Sequence, residues 1–226
     1  MKTIIATLNA KYIHSSLAVR WLYVANRTRF DISFREYTIK EDIEAIARNL
    51  LMTGCDCVGL GVYIWNVRQT GKLITRLRAL KPEMVIILGG PEVSYDPGFF
   101  LNTMPVDFIV SGEGEFVLGE LLHAIENKLP VSIDGVSFQG HISKAVARAD
   151  IERLAALPSP YQLDEDRDVL QHRLVYFETS RGCPFRCTYC LSSLEHGVRY
   201  FPDDYIRENL RYLANSEARQ IGRAHV

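Results

Sequence analysis

The 226-residue chain carries 26 Lys and Arg against 27 Asp and Glu, a net charge of -1; charge this balanced supplies no field to gather nucleic acid or anionic lipid, so neither partner is expected. Apolar residues make up 47% and charged residues 23%, a globular composition that argues against disorder. The N-terminal apolar run is too short for a secretory signal and no stretch approaches the ~20 apolar residues of a membrane span, so a cytoplasmic location is expected.

Apolar, β-rich runs alternate with segments of helical period, the pattern of a parallel sheet covered on both faces. Strands are predicted at 2–8, 31–38, 56–65, 84–90 and 106–112, and helices at 15–28, 41–53, 67–81, 96–103 and 115–127. In the second helix Ile43, Ile46, Ala47, Leu50 and Leu51 share a face, while Glu41, Asp42 and Glu44 crowd the first turn, where the helix dipole favours anions. Five strands and five helices make a complete doubly wound α/β unit. Residues 134–150 alternate and turn at Gly140, as in a hairpin. The charged, proline-punctuated stretch 149–172 reads as an inter-domain linker between a domain at 1–148 and a second starting at 173. There a strand at 174–180 runs into "SRGCPFRCTYC", and a helix follows at 203–216 with Ile206, Leu210 and Leu213 on one face.

A doubly wound unit binds ligands outside the carboxyl ends of its strands, so the strand exits "NAKYIHSS", "YIWN", "GGPEVS" and "SGEGE" hold the candidate site. Gly112 and Gly114 precede a helix N-terminus that could receive an anionic or polar group; Gly89, Gly90 and Pro91 suit either a ligand's close approach or a tight strand exit. No G-x-G-x-x-G follows strand one and no Walker lysine motif occurs, which weighs against nicotinamide dinucleotides and ATP. Glu92 and Asp96 read as polar loop groups. Cys55 and Cys57 read as small buried residues at the start of strand three, their side chains pointing the same way by strand alternation.

Five cysteines, with three clustered, suit metal or redox chemistry better than a disulfide framework. Cys183, Cys187 and Cys190 follow C-x3-C-x2-C spacing. Three thiolates on a short loop can bind three irons of a cubane cluster and leave the fourth open. Zinc is the competing reading, and it needs a fourth ligand, such as His196.

"RGCPFRCTYC" resembles the cluster loop of the radical S-adenosylmethionine (radical SAM) enzymes, in which an aromatic residue precedes the third cysteine, as Tyr189 does here. The resemblance covers 172–219, the first strand–helix unit of that family's (β/α) barrel. It implies a 4Fe-4S cluster on Cys183, Cys187 and Cys190, S-adenosylmethionine on the open iron with Tyr189 near its adenine, and an electron donor such as flavodoxin or ferredoxin. "ILGGPEVS" and "DFIVSGEGE" resemble a subgroup with a flavodoxin-like, five-stranded parallel cobalamin-binding domain ahead of the barrel. There Tyr63, Trp65, Gly89, Gly90, Pro91, Gly112, Glu113, Gly114 and Glu115 would line the cobalamin. The cobalt-ligating D-x-H-x-x-G motif is not met: Tyr12 and Leu17 flank His14 where Asp and Gly would stand, so His14 reads as a residue packing the first helix. The subgroup's chemistry implies methyl transfer to an unactivated carbon of a small-molecule or peptide substrate. A stand-alone corrinoid-binding module and a zinc-stabilised regulatory protein are the alternatives. The closing "QIGRAHV" matches the translation of a sequencing-adapter sequence, so the native chain is expected to depart from this one after about Arg219 and to be longer.

Overall fold

All seven residues of β1 (Thr3–Asn9) are buried, as a strand covered on both faces must be. In this computed structural model residues 1–164, 170–194, 197–216, 218 and 220–223 are described. β1 lies between two parallel neighbours, β2 (Ile32–Thr38) and β3 (Cys57–Gly61), followed by β4 (Val85–Gly89) and β5 (Phe108–Val110). The order β2-β1-β3-β4-β5 reverses direction at β1, the switch point at which such sheets bind ligands. Beyond the five expected strands, β6 (Val136–Phe138) adds a sixth, antiparallel strand beside β5. The expected hairpin at 134–150 reduces to a tight turn in which Phe138 and His141 exchange backbone hydrogen bonds.

Helices cover both faces of this first unit. Ile46, Ala47 and Leu50 of α2 (Ile43–Met52), Leu73, Ile74 and Leu77 of α3 (Val67–Leu80), and Phe100 and Leu101 of α5 (Pro97–Thr103) pack with Ile4, Ala6 and Leu8 of β1. On the opposite face Val19 of α1 (Leu17–Asn26) and Leu118, Leu121 and Leu122 of α6 (Val117–Glu126) pack with Ile5 and Ile87. Asp42 caps α2 by accepting from Ala45 N at 3.1 Å, and Asp96 caps α5 by accepting from Phe99 N at 3.1 Å. A short helix unforeseen in the sequence, α4 (Pro91–Ser94), follows β4, its Pro91 at the first helical position, where no backbone N–H is required. Strand three stops at Gly61, four residues earlier than predicted, because the buried Asn66 side chain accepts from Tyr63 N at 2.8 Å and turns the chain into α3.

Cys55 and Cys57 are both fully buried but enter opposite cores, Cys55 with Leu50 and Cys57 with Ile5. They do not point the same way, because β3 begins at Cys57 and Cys55 lies in the preceding turn at Gly54, where strand alternation does not apply.

The second unit comprises Ile13–Leu17 with Asp150–Val226. The stretch expected to be a linker contains α7 (Ile151–Ala155), capped by Asp150, and the fully buried Tyr161. Tyr161 Oη donates to the Tyr176 carbonyl at 2.8 Å and accepts from Tyr176 N at 3.1 Å. The strand predicted at 174–180 is broken into β7 (Leu174–Phe177) and β8 (Ser180–Cys183); β8 pairs antiparallel with β9 (Gly197–Tyr200). α8 (Asp203–Asn215) then leads to β10 (Gln220–Arg223), parallel to β7, a β-α-β crossover. Among the described residues no helix is long and apolar enough to cross a membrane.

Candidate functional site

At the carboxyl ends of the central strands the sheet runs short of side chains. Thr7 pairs with Gly61 and Gly61 with Gly89, so the three stand side by side on one face, with Gly59 two residues before Gly61. A Cβ on Gly89 would have the Val110 carbonyl oxygen, at 3.6 Å, as its nearest contact beyond the adjoining residues, and one on Gly59 the Ile5 side chain, at 3.9 Å. Gly59 and Gly89 therefore leave room above the sheet that ordinary side chains would fill, whereas a Cβ on Gly61 would meet the Tyr63 ring and the Thr7 hydroxyl at 3.4 Å. The Thr7 hydroxyl beside them is buried and has no hydrogen-bond partner among the described residues. An unsatisfied buried hydroxyl costs on the order of 1–3 kcal/mol, and a ligand polar group is one way to recover it.

Above this crest the Tyr63 and Trp65 rings stack with centroids 4.6 Å apart and planes within 7°. Trp65 is 47% exposed and Ile64 77%, so an apolar, flat-sided platform faces solvent beside the strand exits. Asn66 holds it: besides accepting from Tyr63 N, its Nδ2 donates to the Leu8 carbonyl at 3.1 Å and the Gly61 carbonyl at 3.0 Å.

The exits of β4 and β5 are fixed to each other. Ser94 Oγ donates to the Gly90 carbonyl at 2.8 Å and accepts from Gly112 N at 2.9 Å. Gly90 has φ +105°, and a Cβ there would lie 2.6 Å from the Val62 carbonyl oxygen; only glycine fits. Gly112, at φ +88°, would collide with the Ala147 backbone if it carried a Cβ. Glu113 N donates to the Ala147 carbonyl at 2.9 Å, and its carboxylate accepts from Ala149 N at 2.6 Å. Gly112 and Glu113 are thus engaged with the segment 147–149. Gly114 packs near Val110 and Leu22, Glu115 is buried with its carbonyl accepting from Asn26 Nδ2 at 2.8 Å, and Pro91 is exposed at the start of α4. Asn66 and Ser94 are the site residues that sequence reasoning missed. Both close the very exit segments that were singled out, and a polar residue buried at the end of such a segment was the available signal.

His14 belongs to the second unit. Its Nδ1 lies 2.6 Å from Tyr176 Oη, the two rings stack at 5.9 Å, and its carbonyl accepts from Arg173 at 3.0 Å. Burial raises the pKa of the Tyr176 phenol. The His14 ring thus packs on Tyr176 of β7, a residue distant in sequence, where packing on the start of the first helix was expected.

The cysteine loop grows out of β8. Cys183 ends that strand opposite Gly197, Cys187 is half-buried and accepts at its carbonyl from Cys190 N at 3.1 Å, and Cys190 is exposed. Tyr189 is 90% exposed and Phe185 69%. None of the three is in a disulfide, and they share one loop of eight residues. Among the described residues no three His, Cys, Asp or Glu side chains already converge on a metal position; His196 lies outside the described residues. Three cysteines on an open loop still form a donor set suited to a soft metal or an iron–sulfur cluster.

The model of the B12 binding domain matches residues 3–122. The 2-(S-pantetheinyl)-carbapenam-3-carboxylate methyltransferase of Streptantibioticus cattleyicolor is 31% identical over 187 residues, covering 75% of this chain and 27% of its own. The cobalamin-dependent radical SAM methyltransferase TokK of Streptomyces tokunonensis is 30% identical over 181 residues, covering 74% and 26%. The chain therefore spans about a quarter of the length of these curated relatives. Among solved structures, the cobalamin-dependent S-adenosylmethionine radical enzyme OxsB with aqua-cobalamin and S-adenosylmethionine bound superposes with a TM-score of 0.76 at 21% identity, over 93% of this chain and 31% of that one. That likeness is one of fold.

Proposed function

Because this chain belongs to the B12 binding domain family, we propose that its first unit binds cobalamin and that the whole forms the corrinoid- and cluster-binding portion of a radical SAM methyltransferase. The observation that carries the reading is the side-chain-free crest at Gly59 and Gly89 beside the unpartnered, buried Thr7 hydroxyl, at the switch point of the sheet. The named activities of the relatives support it.

When bound, the cobalamin would carry the methyl group and a reduced cluster with an open iron would supply the electron that cleaves S-adenosylmethionine. This chain's residues would do the holding. Gly59 and Gly89 leave the slot, Thr7 offers its hydroxyl into it, and Tyr63, over Gly61, and Trp65 present a flat apolar face. Gly90, Gly112, Gly114 and Pro91 shape the exits, and Glu113 and Glu115 anchor them. Cys183, Cys187 and Cys190 would ligate the cluster, leaving one iron for S-adenosylmethionine, with Tyr189 free to meet the adenine. The substrate, a small molecule or peptide, and the electron donor, a flavodoxin or ferredoxin, complete the proposal.

Anaerobic titration with hydroxocobalamin tests it. Wild-type chain should retain the corrinoid through gel filtration. Gly89→Val should fold as well as wild type, since valine favours strands and its Cβ has room, yet lose the corrinoid because the slot is filled. Equal retention by wild type and variant would overturn the slot assignment; no retention by folded wild type would overturn cobalamin binding.

A further inference from the structure

A second feature of the cysteine loop lies beneath it. Glu178 follows directly after β7, and Arg181 sits in β8, two residues before Cys183. Arg181 Nη2 donates to Glu178 Oε1 at 2.8 Å and Nε to Oε2 at 3.1 Å, a two-pronged ion pair whose side chains are only 3% and 2% exposed.

Residues three apart in an extended strand are separated by about 10 Å and point to opposite faces. This pair can meet only because the chain bends at 178–179, where the Thr179 carbonyl also accepts from Phe201 N at 3.0 Å. The ion pair therefore fixes the angle at which β8 leaves β7. Downstream the path is equally constrained: Gly182, at φ +85°, lies so close to the Gly197 carbonyl that no Cβ fits. A rigid run from Glu178 to Gly182 thus delivers Cys183.

Stability does not account for the pair. Withdrawing two charges from water costs several kcal/mol each, and apolar residues of similar size often serve a fold as well or better. What a planar guanidinium gripping a carboxylate at two points supplies is a defined geometry, which lysine cannot reproduce.

We propose that Glu178 and Arg181 are positioning residues for the cysteine loop, their buried two-pronged ion pair setting where Cys183 stands relative to Cys187 and Cys190. The inference rests on the reading that these cysteines hold an iron–sulfur cluster. Outer partners of metal ligands characteristically alter metal affinity by about 10–100-fold, and that is the size of effect expected.

The test compares wild type, Arg181→Lys and the double variant Glu178→Met/Arg181→Leu after anaerobic reconstitution with iron and sulfide. Circular dichroism and thermal melting report folding; the rate at which a chelator bleaches the cluster's visible absorbance reports its hold. The apolar double variant should melt at or above the wild-type temperature while losing its cluster at least tenfold faster, and Arg181→Lys should also lose it faster. A folded double variant that keeps its cluster as long as wild type would overturn the inference while leaving the cluster intact. A folded wild-type chain that takes up no cluster would overturn the reading and this inference together.

Discussion

The side-chain amide of Asn66 donates to the carbonyl of Leu8, 58 residues away, at 3.1 Å. The same side chain caps the Tyr63 turn and binds the Gly61 carbonyl, so one fully buried residue joins the ends of β1 and β3 at the switch point. Replacing Asn66 by Ala strands these buried groups and should cost about 1–3 kcal/mol in urea unfolding. Asn66→Asp should not rescue: it can accept from Tyr63 N, but it presents a carboxylate to two carbonyl oxygens. A stability of Asn66→Asp equal to wild type would contradict this role.

Gly90 and Gly54 separate conformation from contact. Both have positive φ, +105° and +72°, but a Cβ on Gly90 meets the Val62 backbone whereas one on Gly54 meets nothing within 4 Å. Gly90→Ala should therefore lower the melting temperature well beyond Gly54→Ala, which carries only the backbone strain of roughly 1 kcal/mol. Similar losses at both positions would show that the Val62 approach is unimportant.

Much of the first unit is legible in the sequence because its physical causes are local. The mostly apolar run of β1 announces a strand buried on both faces, and the helical spacing of Ile46, Ala47 and Leu50 announces the buried face of α2. The exit of β4 at Gly89 follows from the same local pattern, whereas that of β3 at Gly61 is set by the Asn66 side chain. What escaped depends on contacts distant in sequence or on breaks in period. β6 is three residues long and exists because β5 offers it an edge. Tyr161 sits among prolines and charges, yet is buried because the Tyr176 backbone satisfies its hydroxyl. Glu178 and Arg181 show no spacing that marks them as a pair until the chain bends between them. In the cysteine loop, spacing indicates the donor set, but the position of each thiol depends on that bend.

The five thiols should divide by reactivity. Burial pushes the Cys57 thiol up to about 12, and Cys55 is equally buried with its thiol donating to the Leu50 carbonyl at 3.5 Å. Cys183, Cys187 and Cys190 lie on the half-buried or exposed loop. The metal-free native chain should react rapidly with a disulfide reagent at Cys183, Cys187 and Cys190, and at Cys55 and Cys57 only on unfolding. Rapid labelling of Cys57 in the folded chain would contradict the buried start of β3.

The same burial predicts an alkaline limit to stability. Desolvation holds both Cys57 and Tyr37 near 12, above their unfolded values, and Tyr37 Oη donates to Asn49 Oδ1 at 2.6 Å. A group whose pKa is raised by folding stabilises fully below its unfolded pKa and loses that contribution as pH rises toward the folded value. Urea midpoints should therefore fall from about pH 9 upward, and Cys57→Ala together with Tyr37→Phe should flatten the decline. An unchanged slope in the double variant would assign the alkaline loss to other groups.

The central claim is that three cysteines on the β8 loop leave an iron corner open for S-adenosylmethionine. Electron paramagnetic resonance of the anaerobically reconstituted, reduced chain, recorded with and without S-adenosylmethionine, tests it most directly. The account predicts a cluster signal that changes on adding the sulfonium compound and vanishes in Cys187→Ala. Stoichiometric zinc in place of iron, or a cluster signal unmoved by S-adenosylmethionine, would contradict it.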